Sequence, residues 1–165
     1  MKATPSKGIS LIELVIYVAI LAVAVIAITR VLIVMTRSYT SIVVARDLNH
    51  SALVGFETMV REIRGSASVT AGSSTLGAHP GRLTTAAGAT TTEFYMAGTQ
   101  LMFRKNGVVQ GPLTLSTARV TNLVFRQVST GSSEAIKIEM TLAAGTSTAA
   151  RSVNLYSTAI LRGSY

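Results

Sequence analysis

The chain reads as an α+β protein, in which a long N-terminal helix, membrane-spanning in its first half and amphipathic in its second, packs on a mostly antiparallel β-sheet. Three observations predict this. Residues 9–28 form an apolar run broken by a single charge, Glu13. Apolar residues then recur at steps of three or four as far as Ile63, the period of a helix with one covered face. Beyond Ala67 the composition turns to Ser, Thr, Gly and Val with alternation, as strands and tight turns require.

The apolar run is long enough to span a membrane, because about 20 residues at 1.5 Å each match a hydrocarbon core of roughly 30 Å. Lys2 and Lys7 precede it with no acidic residue, which by the positive-inside bias keeps the N-terminus cytoplasmic and exports the rest of the chain. Thr29-Arg30 interrupts the run before Val31-Leu32-Ile33-Val34-Met35 resumes it, and Arg30 fits an interfacial anchor at the outer edge of the span. A carboxylate at the depth of Glu13 costs about 2.5–3.5 kcal/mol on insertion scales, so it is a functional candidate that needs a partner. Two ordinary readings compete. Ala22-Val23-Ala24 offers a small-x-small secretory cleavage site, although the run stays apolar beyond it and carries a glutamate. In a plain signal anchor, Glu13 would simply snorkel.

Past the span, Ile42, Ala45, Leu48, Ala52, Phe56, Met59 and Ile63 make one apolar stripe, while Arg46, Asp47, Glu62 and Arg64 charge the other face. Glu57 and Arg61 stand four apart in the favourable order. No proline occurs between Pro5 and Pro80, so nothing obvious kinks the helix. A helix from residue 9 to about 64 would be roughly 84 Å long. Gly65-Ser66 is expected to end it.

Residues 66–92 give weak strand signals and read as a loop region with one or two short strands. Residues 93–97 and 100–105 read as strands, and Asn106-Gly107 is a two-residue hairpin turn into Val108-Val109-Gln110. Residues 119–128, 135–142 and 151–161 complete an antiparallel set. In the second of these, Ile136, Ile138, Met140 and Leu142 alternate with Lys137, Glu139 and Thr141, one face on a core and one in water. The helix stripe is the natural cover for that core face.

The chain has 165 residues, no cysteine and a net charge of +8. That size fits one domain on a stalk, and thiol metal sites and disulfides are excluded. The basic residues Arg82, Arg104, Lys105, Arg119, Arg126, Lys137, Arg151 and Arg162 are dispersed, without the basic and aromatic interleaving of strand-binding grooves. His50 reads as a helix-face residue and His79 as a loop residue, neither with a carboxylate or cysteine at ligand spacing. Glu134 and Glu139 read as solvated lone acids. Without a nucleophile elbow, P-loop or paired-acid motif, no enzyme, metal or cofactor is expected.

One further pattern is specific. Lys7-Gly8-Ile9-Ser10-Leu11-Ile12-Glu13-Leu14 resembles the processing site of type IV pilins and type II secretion pseudopilins: a short basic leader ending in glycine, then a hydrophobic helix with a glutamate four residues beyond the first residue after the cut. The resemblance implies cleavage between Gly8 and Ile9 by a membrane-embedded prepilin peptidase and N-methylation of Ile9, where the family most often has phenylalanine. It implies assembly through Glu13, whose carboxylate meets the new terminal amine of a neighbour or of its own chain. Two charges that are costly singly become acceptable together when their geometry is good. Val60-Arg61-Glu62-Ile63-Arg64, the stretches at 120–125 and 136–138, and Ser157-Thr158-Ala159-Ile160-Leu161-Arg162 are similar to the pseudopilin J and W-type minor pilin group, less specifically. The lack of a C-terminal disulfide points the same way, to a minor subunit. Where many major pilins carry a helix-breaking proline, this chain has Arg30.

The implied organisation is a leader at 1–8, a membrane and assembly helix at 9–35, its amphipathic continuation at 36–65 and an exported β-rich domain at 66–165. The implied function is that of a minor pilin or pseudopilin in a type IV pilus or type II secretion-like filament. Its partners would be other pilin or pseudopilin subunits, the prepilin peptidase, the inner-membrane assembly platform and, before assembly, the lipid bilayer. The alternative is a filament-tip module for DNA uptake or adhesion that works through the basic exported domain.

Overall fold

The structure, a computed structural model, describes residues 10–130, 133–145 and 150–162. One helix, α1 (Leu11–Arg64), leads into β1 (Ser68–Val69), a 3-10 turn at Ala71–Ser73, β2 (Leu83–Ala87), β3 (Thr90–Ala97), β4 (Gln100–Lys105), β5 (Val108–Pro112), β6 (Ala118–Thr130), β7 (Ser133–Ala144) and β8 (Arg151–Ile160). The expected α+β architecture with a long apolar N-terminal helix is present. Two compact units divide at residue 40, and α1 contributes to both.

In the first unit the helix is uncovered. Its large apolar side chains, from Leu11 at 81% exposure to Ile33 at 47%, all lie open. Thr29, Thr36 and Thr40 each donate their hydroxyl to the carbonyl four residues earlier, at 2.8 to 2.9 Å. That back-bonding hides polar groups on an apolar rod. This helix is long and apolar enough to cross a membrane.

In the second unit the strands form two antiparallel sheets rather than the single one expected: β1-β2-β3-β4-β5 in spatial order, and β6-β7-β8. The connection after Pro112 stays bonded to β4 through Leu113 N–H, which donates to the Leu101 carbonyl at 2.8 Å, and Val120 N–H of β6 donates to the Thr99 carbonyl in the β3–β4 turn at 2.8 Å. The core is shared. Leu83, Phe94 and Leu101 from the first sheet meet Leu123, Phe125, Ile136, Ile138 and Leu142 from the second, with Leu48, Met59 and Ile63 of α1, all 2% exposed or less. Burying each such side chain is worth about 1.5–3 kcal/mol. The alternation expected for β7 holds, with its even-numbered residues from Ile136 to Ala144 buried.

The helix stripe differs in detail from its reading. The buried set is Leu48, Ser51, Ala52, Gly55, Met59 and Ile63, whereas Ile42 is 67% exposed and Phe56 is only half-buried. Ser51 and Gly55 belong to it because the segment after β5 crosses there. Leu115 N–H donates to Ser51 Oγ at 3.0 Å, and a Cβ on Gly55 would rest in ordinary contact with Leu101 and Thr114. The helix does end where Gly65-Ser66 begins, but serine supplies the cap. Ser66 Oγ donates to the Glu62 carbonyl at 2.8 Å and contacts Thr85 Oγ1 at 2.8 Å, satisfying a carbonyl the last turn leaves open.

The weakly patterned stretch at 66–92 holds β1 and β2, and β3 starts at Thr90. Its loop is strapped to the outer edge of β6. Gly77 N–H donates to the Phe125 carbonyl at 2.7 Å and Gly81 N–H to the Leu123 carbonyl at 2.8 Å, while Leu123 N–H donates to His79 Nδ1 at 3.0 Å. The Asn106-Gly107 turn is as expected, with φ of 50° and 79°, the left-handed pair that a two-residue hairpin demands.

Candidate functional site

Of the residues the sequence singles out, Gly8 and Ile9 lie outside the described residues, and Glu13 lies in the first turn of α1. A carboxylate there is favoured by the partial positive charge of the helix N-terminus. Glu13 also has a neighbour that the sequence reading missed. The Tyr17 hydroxyl, one helical turn on, donates to Glu13 Oε1 at 2.9 Å. Its signal was the spacing of four that brings side chains onto one helical face. Glu13 Oε2 has no hydrogen-bond partner among the described residues, so half of the carboxylate is open to a donor from outside this stretch of helix. Around it stand Leu11, Ile12, Leu14, Val15 and Ile16, each more than half exposed.

The second unit sorts its charges. Glu93 accepts from Arg82 at 2.8 Å and from Arg104 at 2.7 Å, and both guanidinium groups lie over the Tyr95 ring, 5.5 and 4.9 Å from its centroid. Lys105 pairs with Glu62 of α1 at 3.1 Å. The expectation that Glu134 and Glu139 are solvated lone acids is corrected here. Glu139 accepts from Lys137 at 3.0 Å and from Arg126 at 3.2 Å, and Glu134 accepts from the Gln127 amide. The cross-strand register puts Arg126 opposite Lys137, two residues along β7 from Glu139 on the same face, so a shared acid relieves two cations that would otherwise repel. The Lys137 hydrogen bond, with the nearby charges of Lys137 and Arg126, holds the Glu139 carboxyl below its ordinary range against an opposing contribution from desolvation.

Four other cations behave differently. Arg61, Arg64, Arg151 and Arg162 are exposed and have no carboxylate partner among the described residues. Glu57 and Arg61, four apart on the helix, do not close into an ion pair; both line one groove. His50 is exposed on the helix, as expected. His79 sits in its loop, but its ring is engaged by the Leu123 amide. Among the described residues no group of three His, Cys, Asp or Glu side chains is placed to hold a metal ion.

Comparison of the chain with family profiles, with curated proteins and with solved structures gave no match.

Proposed function

We propose that this chain is a minor pilin or pseudopilin, a structural subunit of a type IV pilus or type II secretion-like filament. It is cleaved after Gly8, N-methylated on Ile9 and assembled through its N-terminal helix. The observation that carries this reading is the helix at residues 11–40, whose large apolar side chains are all exposed and which holds, near its N-terminal end, one carboxylate with an oxygen that has no partner among the described residues. An apolar surface of that extent needs lipid or other helices around it. Both environments arise in turn for a subunit drawn from a membrane into a filament. The chain sits in the cytoplasmic membrane with its N-terminus inside, and its β-rich unit outside.

Within that scheme Tyr17 holds Glu13 in place and the open Oε2 receives the terminal ammonium of a neighbouring subunit. A buried polar pair of this kind sets axial register. Mass spectrometry of the mature protein tests processing: the expected N-terminal residue is methylated Ile9, and a chain retaining Met1 or starting after Ala24 refutes the proposal. Glu13→Ala is expected to be processed normally yet to enter filaments poorly. Incorporation at the wild-type level would remove the role given to Glu13.

A further inference from the structure

The two outer edges of the three-stranded sheet are treated unequally. The β6 edge is closed by Gly77, His79, Gly81 and Thr99. The β8 edge is not. Leu161 N–H donates to the Glu134 carbonyl at 2.9 Å, so by the alternation of an antiparallel ladder the odd-numbered residues of β8 bond to β7 and the even-numbered ones turn their N–H and C=O outward. The first of that outward set, Arg162, is taken: its N–H donates to the Arg64 carbonyl at 3.2 Å. Ser152, Asn154, Tyr156, Thr158 and Ile160 continue the row, all exposed. Natural sheets blunt such an edge with proline, lysine, a bulge or brevity. Here β8 runs ten residues in unbroken register with β7, without proline or lysine.

Beside this edge lies an apolar groove of about 820 Å³, walled by α1 residues including Leu53, Phe56 and Val60 and floored by Val153 and Leu155 of β8. The inward residues of β7 from Ile136 to Ala144 are buried, whereas on β8 Ala159 is buried but Val153, Leu155 and Ser157 are only half-buried. The sheet is thus one strand short of covering the flank of the helix. A strand added at the usual spacing of about 4.8 Å would place alternate side chains over that flank. Arg61 and Arg64 on the groove, Arg162 beyond one end of it and Arg151 beyond the other outnumber the one acid of its lining, Glu57, and make the rim net basic. That rim argues against a second copy of this chain, whose arginines would face these.

We propose that the β8 edge accepts an extended segment of a partner protein, which pairs its backbone with the outward groups from Asn154 to Ile160, seats apolar side chains against Phe56 and Leu155, and carries acidic side chains to the arginine rim. Strand addition of this kind takes affinity from main-chain hydrogen bonds and specificity from alternate side chains. The inference is independent of the proposed filament function.

The test uses the full chain in nanodiscs of zwitterionic lipid and a peptide of about nine residues that alternates valine with glutamate and threonine, a length within the strand range. Fluorescence anisotropy at low salt measures binding, and hydrogen exchange tracks the Asn154, Tyr156 and Thr158 amides. The acidic peptide is expected to bind, to protect those three amides, and to bind about tenfold more tightly than its lysine-for-glutamate counterpart. Tyr156→Pro removes an outward N–H without touching the β7 ladder and should abolish protection while the β6–β7 amides stay protected. Arg61→Glu with Arg64→Glu, which leaves the strand unaltered, should weaken the acidic peptide about tenfold and not the lysine peptide. The proposal is overturned if the acidic peptide fails to bind, if it binds without protecting these amides, or if both peptides bind equally. Protection of the same amides by self-association or by duplex DNA in place of the peptide overturns it as well.

Discussion

Gly81 tests whether the strap over β6 is a fixed part of the fold. An alanine there would place its Cβ 2.8 Å from the Leu123 carbonyl oxygen, 3.1 Å from a ring carbon of Phe125 and 3.3 Å from the Val124 Cα. Leu123 and Phe125 are fully buried and held in register by β7, so they have nowhere to go. The loop must withdraw instead. Its backward shift threatens the Gly81 N–H bond to the Leu123 carbonyl at 2.8 Å and the Leu123 N–H bond to His79 at 3.0 Å. Overpacking of this sort costs about 1–3 kcal/mol, and a weakened hydrogen bond adds about 1 kcal/mol. Gly81→Ala is therefore expected to lose about 2–4 kcal/mol, which at ordinary urea sensitivity lowers the midpoint by about 1–2 M. Urea titration monitored by tyrosine fluorescence reads the midpoint, since the chain has five tyrosines and no tryptophan. Exchange at the Leu123 amide reads the local effect. Gly72→Ala, with open space around it, is the control and should stay within about 0.5 kcal/mol. An unchanged midpoint together with unchanged Leu123 protection in Gly81→Ala would refute the close approach.

Met59, fully buried between helix and sheets, should cost about 2–5 kcal/mol on truncation to alanine, whereas Ile42→Ala should leave urea stability within about 0.5 kcal/mol; equal effects would mean that the helix stripe starts earlier than Leu48. Glu139 gives a pH signature. Because its folded pKa lies below the ordinary value, its contribution is present above the unfolded pKa and disappears as pH falls through the lower folded one. Glu139→Gln should thus flatten the acid limb of the stability profile, and a limb as steep as wild type would show that the Lys137 and Arg126 contacts carry no linkage.

The sequence was most informative where one local rule acts alone. Asn106-Gly107 is read directly because only a left-handed turn suits that pair between two strands, and the alternation in residues 135–142 is visible because one face is dry and the other wet. The stretch at 66–92 was opaque for the converse reason. Its strands are short and rich in Thr and Ala, and what fixes its loop is contact with β6, some forty residues further along the chain. Glu139 shows the same limit: its cation at position 137 is local, but Arg126 reaches it only through the cross-strand register.

The sequence by itself determined the long apolar helix, the lone carboxylate near its start and the α+β class, since each arises from periodicity and from the cost of charge in an apolar setting. The split into two sheets, the closed β6 edge and the β8 edge with its groove were decided only by the tertiary structure. Most of those features depend on which distant segments meet, and hydrogen bonds between residues far apart in the chain leave no mark in local composition.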